Sequence, residues 1–238
     1  RLKEGSVHSE PYPVPQGFTA HSFPMIMLNV TQELEAALES FQHERTQEIK
    51  EVCYLRMKEI MERFYQEEGR IVEIMPIGGP QNDTVLCRHV NPGHAIESMW
   101  FVMKEASKTG RLDWIQKAAK AVKWAFEIGW DDEYGGLLRF TDCSGGEPKG
   151  RQSGDPYENL ILGTWDTKLW WPHSETLYTT LLAYKLTGDG EFLSLYNKAH
   201  DYVFRTFPNP GKEIGEWIQI RDRRGQPAEK LVALPVKD

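Results

Sequence analysis

A mainly α-helical fold, with helical hairpins set side by side in a toroid and ligand chemistry at one rim, follows from three features of this 238-residue chain. Apolar residues recur at helical spacing in long stretches that come in pairs, and short turns join the members of each pair. Long connections between the pairs gather polar and aromatic residues. With 40% hydrophobic and 26% charged residues, the composition is that of an ordinary globule, which sets disorder aside.

Residues 1–20 lack periodicity and carry Pro11, Pro13, Pro15 and Gly17, which reads as a loop or strap. A helix is predicted from Pro24 to near Ser40, with Met25, Leu28 and Leu34 among its apolar positions. A longer one follows from about Glu44 to Glu68, striped by Ile49, Val52, Cys53, Ile60, Met61 and Phe64. Ile71 to Met75 and Thr84 to Cys87 are expected as short strands flanking the Gly78-Gly79-Pro80 turn. The next helix starts after Pro92 and stops near Gly110, and its partner runs from Leu112 to Ile128 through Ile115, Ala118, Ala119, Val122 and Phe126. The third pair, Leu169 to Leu186 and Glu191 to Phe207, turns at Thr187-Gly188-Asp189-Gly190. Long loops span Asp131 to Asp166 and Asn209 to Gln226, with hints of hairpin strands at Leu137 to Thr141 and Trp217 to Arg221. The pairs share an architecture but no strict sequence period, which disfavours a solenoid of short repeats. The chain is read as one domain over 1–238.

A net charge of -7 leaves no global basic field to hold a phosphate backbone, so nucleic acid is not an expected partner. The apolar runs Phe23 to Val30 and Thr180 to Tyr184 are too short to cross a bilayer, so no membrane role is expected. Cys53, Cys87 and Cys143 are an odd, scattered set without a Cys-x-x-Cys pair, which fits a reducing cytoplasm. The chain lacks an initiating Met and stops just after an apolar Leu231 to Val236 run, and it reads as a piece of a longer protein.

Chemistry is most concentrated at Asn91-Pro92-Gly93-His94-Ala95-Ile96-Glu97, where a turn launches a helix carrying a histidine and a carboxylate three residues apart. That spacing lets Glu97 orient or charge the His94 imidazole, and Trp100 and Phe101 extend the flank with aromatic surface. The bland alternative is a surface or capping histidine. Trp170-Trp171-Pro172-His173-Ser174-Glu175 is the second cluster: indole faces suit the aliphatic side of a sugar, and Glu175 can hold hydroxyls. Its structural alternative is a pair of core tryptophans at a helix start. Arg88 can neutralise a developing oxyanion or make a simple salt bridge, and Gly215-Glu216-Trp217 repeats the theme of acid plus indole. The triplet Asp131-Asp132-Glu133 invites a metal, but no other ligand set stands near it, and no metal is expected. Phosphate loops, dinucleotide fingerprints, zinc motifs and nucleophile elbows are all missing, leaving cofactor-independent proton transfer among the simpler chemistries.

Taken together, Arg88-x-x-Asn91-Pro92-Gly93-His94-Ala95-Ile96-Glu97, Gly129-Trp130-Asp131, Tyr134-Gly135-Gly136-Leu137, Lys168 to Glu175 and Gly215-Glu216-Trp217 resemble the N-acylglucosamine 2-epimerase family. Its animal members are also called renin-binding proteins. The resemblance implies an (α/α)6 barrel, incomplete here, with short β hairpins in the loops. It also implies interconversion of N-acetyl-D-glucosamine and N-acetyl-D-mannosamine at C2. The implied catalytic residues are His94, Glu97 and Arg88, and the sugar-binding set is Trp100, Trp171, His173, Glu175 and Glu216. A second acid/base histidine is expected beyond Asp238, so the fragment alone is expected to be inactive. No cofactor is required, an adenine nucleotide effector is an open expectation, and a homodimer is a family expectation. The alternatives are an aldose-ketose isomerase of the same fold, a glycoside hydrolase, and a non-catalytic protein that binds a sugar or another protein.

Overall fold

The computed structural model describes residues 12–79, 83–211, 213 and 215–228, and within them one unit recurs three times: strand, helix, helix, strand. The first comprises β1 (Phe18–Ala20), α1 (Ser22–Ser40), α2 (Thr46–Glu59), a π-helical turn (Ile60–Phe64) and β2 (Ile74–Pro76). The short α3 (Val85–Arg88) leads into the second: β3 (His89–Val90), α4 (Pro92–Lys108), α5 (Leu112–Gly129) and β4 (Thr141–Asp142). After α6 (Pro156–Thr164) comes the third: β5 (Lys168–Leu169), α7 (Trp170–Thr187), α8 (Glu191–Thr206) and β6 (Ile220–Arg221). In every unit the strand before the hairpin pairs antiparallel with the strand after it.

Local chemistry sets the helix boundaries. Asn91 caps α4 by accepting the His94 N–H at 3.1 Å, with Pro92 in the first turn where its missing donor costs nothing. Asp155 and Pro156 do the same for α6, with the Tyr157 N–H 2.9 Å from the Asp155 carboxylate. Gly188, at φ 72°, takes the left-handed conformation that ends α7. The hairpins are α1 on α2, α4 on α5 and α7 on α8, and α4 lies between α1 and α7. The main core joins Met57, Ile60 and Phe64 to Ile96, Met99 and Val102 of α4 and to Ala118, Ala121, Val122 and Ala125 of α5. Each fully buried large apolar side chain contributes about 1.5–3 kcal/mol. The small α5 residues let α4 approach closely.

The helical pairs lie where the periodicity puts them, and the differences lie between them. Residues 18–20, read as part of a loop, form a strand; residues 1–11 lie outside the described residues. Thr84 to Cys87 is not a strand: Thr84 caps α3, accepting the Cys87 N–H at 3.4 Å, and β2 pairs with β1 instead. The long second helix widens into the π turn before Tyr65, and α6 occupies part of the expected Asp131 to Asp166 loop. The loop strands exist as β4 and β6, but they pair with β3 and β5 rather than within their own loops. Pro80 of the glycine turn and the Leu231 to Val236 run lie outside the described residues. Among the described residues no helix is long and apolar enough to cross a membrane.

Candidate active site

The β1–β2 ladder delivers two side chains to the start of α4. Beyond the Ala20–Ile74 pair, His21 N–H donates to the Glu73 carbonyl at 2.9 Å, which keeps the two residues together where α1 begins. Both are buried, at 0% and 5% exposure. The Glu73 carboxylate accepts from His94 Nδ1 at 2.8 Å, and its other oxygen lies 3.7 Å from His21 Nδ1. The remaining His21 nitrogen meets Ser98 Oγ at 2.9 Å. Ser98 stands one turn beyond His94, so the chain His94, Glu73, His21, Ser98 leaves α4 and returns to it.

Burial pushes the Glu73 carboxyl up, but the positive field and hydrogen bonds of His94 and His21 outweigh it and hold the group well below the usual carboxylate range. A carboxylate only accepts, so Nδ1 of His94 carries the proton, and the neutral ring keeps its lone pair on Nε2. The imidazole is 22% exposed and lies 5.4 Å from the Trp171 ring, tilted by 32°. Gly93 makes this contact possible: a Cβ there would lie 2.8 Å from Pro172 Cβ and 3.0 Å from the Trp171 ring. A cavity of about 110 Å³ opens beside His94, between Ser22, Glu73, Ile74 and Tyr157.

The expected residues fall into groups. His94 and Trp171 are together. Glu97 is buried on α4, while His94 Nδ1 donates to Glu73. Helix side chains lean toward the helix N-terminus, which carries the His94 ring over the preceding turn and toward β2. Trp100 and Glu175 form a second group, the indole N–H donating to the carboxylate at 2.7 Å across α4 and α7. Glu216 is in a third, an open groove of about 400 Å³ shared with Trp170, Ser174, Trp217 and Gln219.

Two residues have different work from that expected. Arg88 is gripped by Asp142 through bonds of 2.9 and 2.7 Å and by Asp83 at 3.0 Å, and these raise its pKa and fix it as a clamp on the β3–β4 pair. A guanidinium held by two carboxylates is a weak oxyanion stabiliser. His173 is fully buried: its Nδ1 donates to Leu169 O at 2.6 Å and its Nε2 accepts the Leu137 N–H at 2.8 Å. Burial lowers its pKa to about 4, so it is a neutral joint between α7 and the Gly135-Gly136 turn rather than a sugar contact.

The acidic triplet is also structural. Asp131 is buried against Lys168 at 3.1 Å and Arg223 at 3.0 Å, while Glu133 meets Arg223 and Asp132 meets Lys198. Sequence reasoning missed Glu73, His21 and Ser98, because a two-strand pairing between segments more than 50 residues apart leaves no periodic mark. A glutamate flanked by Ile71, Val72 and Ile74 was the available signal.

Residues 9–235 match the family model described as N-acylglucosamine 2-epimerase. Among curated proteins, N-acylglucosamine 2-epimerase from Bos taurus is 32% identical over 215 residues, covering 90% of this chain and 47% of the relative. The Homo sapiens protein is 30% identical over 215 residues, with 90% and 46% covered. The chain therefore spans about half the length of the curated relatives it matches. Among solved structures, a D-mannose isomerase superposes with a TM-score of 0.65 at 16% identity, covering 89% of this chain and 51% of its own. Cellobiose 2-epimerase from Bacillus thermoamylovorans gives 0.65 at 19% identity, with 89% and 48% covered. These likenesses establish the fold, paired helices of the (α/α)6 barrel class.

Proposed function

The chain belongs to the N-acylglucosamine 2-epimerase family, and from that premise we propose that His94 is an acid/base group of a carbohydrate epimerase acting on N-acetylated hexosamines. The observation that carries the reading is the imidazole held at Nδ1 by a buried carboxylate, with its ring against an indole. Ring opening of the sugar puts an aldehyde next to C2 and acidifies its proton. Nε2 of His94 takes that proton, charge spreads onto the C1 oxygen in an enolate, and return of a proton to the opposite face of C2 inverts it. Histidine suits this exchange because its pKa lies near neutrality, and Glu73 supplies the countercharge as the imidazolium forms. A second base, for the other face, belongs to the same proposal.

Trp100, Trp171, Glu175 and Glu216 are the proposed sugar contacts, indoles against the ring and carboxylates toward hydroxyls. Glu97, buried on α4 three residues from His94, belongs to the same proposal as its orienting neighbour. The chain is read as a single domain from the central and C-terminal part of the barrel. The proposal requires no cofactor and sets the protein in a reducing cytoplasm, with no disulfide joining Cys53, Cys87 or Cys143.

The test is His94→Gln in the full-length protein, following solvent deuterium entering C2 of N-acetylmannosamine by NMR. Exchange should fall by about 10²- to 10⁴-fold. Exchange at the unaltered rate would remove His94 from the mechanism, and a ketose formed from a 2-hydroxy aldose such as mannose would make the protein an aldose-ketose isomerase.

A further inference from the structure

Away from His94, a cavity of about 430 Å³ opens where the end of α8 meets the turn after β6. Arg205, Arg221 and Arg224 line it, with Tyr134 and Tyr202, and among the described lining residues every formal charge is positive. This is unusual in a chain of net charge -7. Several arginines elsewhere face carboxylates: Arg45 meets Glu48, Arg56 meets Glu59, Arg88 meets Asp142 and Arg111 meets Asp113. Arg223, in the same turn, points to Asp131 and Glu133. Arg205, Arg221 and Arg224 make no ion pair among the described residues.

Arg221 is the informative member. It is 5% exposed, its Nη2 reaches only the Phe207 carbonyl at 3.4 Å, and its Nε has no acceptor. Buried guanidinium N–H groups are ordinarily paired, because leaving one without an acceptor forfeits its hydration. The neighbouring Asp222 does not fill the gap: its carboxylate accepts the Gln226 N–H at 2.8 Å.

We propose that this cavity binds a phosphoryl-bearing small molecule, with Arg221 as the buried anchor and Arg205 and Arg224 closing on the anion from the surface. The forked guanidinium matches the oxygens of a tetrahedral phosphoryl group, and three of them balance a dianion better than a single carboxylate. The volume exceeds what bare phosphate fills, and Tyr134, Pro208 and Pro210 offer apolar wall to an organic remainder. The cavity shares no lining residue with the His94 cavity or the Glu216 groove, so the proposal stands apart from the epimerase reading.

Calorimetric titration of the full-length protein with inorganic phosphate and with hexose 6-phosphate, at fixed ionic strength, tests it. Saturable binding is expected, weakened by about tenfold or more in Arg205→Gln/Arg224→Gln. Both replaced residues are exposed, so the thermal midpoint should hold. Tighter binding of the hexose phosphate identifies a phosphate ester as the ligand, and equal affinity identifies the free anion; either result supports the site. Absence of saturable binding up to about 10 mM, or equal affinity in the double variant, overturns the proposal.

Discussion

Glu73 touches both imidazoles of the site, so its substitution separates a proton-handling role from a packing one. In Glu73→Gln the amide keeps the shape but removes the countercharge for the His94 imidazolium. C2 exchange should fall by about 10²-fold, by analogy with other carboxylate partners of catalytic histidines. The acidic limb of its pH-rate profile should also move to lower pH, since a lost negative neighbour favours the neutral ring. A residue that only packs would leave the limb in place. His173 gives a second test, this time of stability. Its pKa falls from 6.5 to about 4 on folding, so the unfolded chain takes up its proton first as pH drops. Stability linked to this group is complete above pH 6.5 and declines by about 3 kcal/mol toward pH 4. Urea unfolding at several pH values should show this slope, and His173→Asn should remove it. At this scale His94 and Trp171 were legible in the sequence, because a capped helix start and an aromatic cluster are local signals. Glu73 was not legible, because local spacing was the only distance the sequence offered.

Among the elements, the close approach of α4 and α7 at Gly93 sets the geometry of the site. In Gly93→Ala the new methyl meets Pro172 and Trp171, so the helices must part. Overpacking of this kind typically costs about 1–3 kcal/mol. Calorimetric melting should register that loss, while C2 exchange should fall further than stability alone explains, because His94 and Trp171 separate. An unchanged rate would mean that the ring contact is dispensable. The three hairpins were legible because amphipathic stripes, proline starts and glycine stops are written within each segment. The strands were not: β3, β4, β5 and β6 are two residues each, too short for an alternating pattern, and their partners lie far along the chain. The cap at Thr84 was mistaken for a strand start because Val85, Leu86 and Cys87 form a short apolar run that strands and buried helix turns share.

At the scale of the molecule, three like units bring their hairpins into one body, and α1 and α7 flank α4. Apolar side chains remain uncovered on the flanks: Ile26, Val30 and Leu34 follow one face of α1, and Tyr178 and Leu181 stand out on α7. Contiguous stripes of this kind usually seek a covering surface. The 238-residue chain prepared by itself should therefore self-associate at micromolar concentration. Sedimentation should show Ile26→Lys/Val30→Glu shifting it toward monomer, whereas a monomeric unaltered chain would contradict the expectation. The barrel class was recognisable from motif order, but which helix faces stay open is a matter of neighbours and cannot be read from one strand of text.

The strand pairs that close each unit have a kinetic consequence. β1 meets β2, β3 meets β4 and β5 meets β6, so each hairpin can be stapled before its neighbour has arrived. Glu73 and His21, however, come from the first staple, His94 from the second and Trp171 from the third. Backbone order can thus mature while the residues of the proposed proton transfer are still scattered, and in refolding of the full-length protein circular dichroism should recover ahead of C2 exchange, the lag between them timing the last docking event.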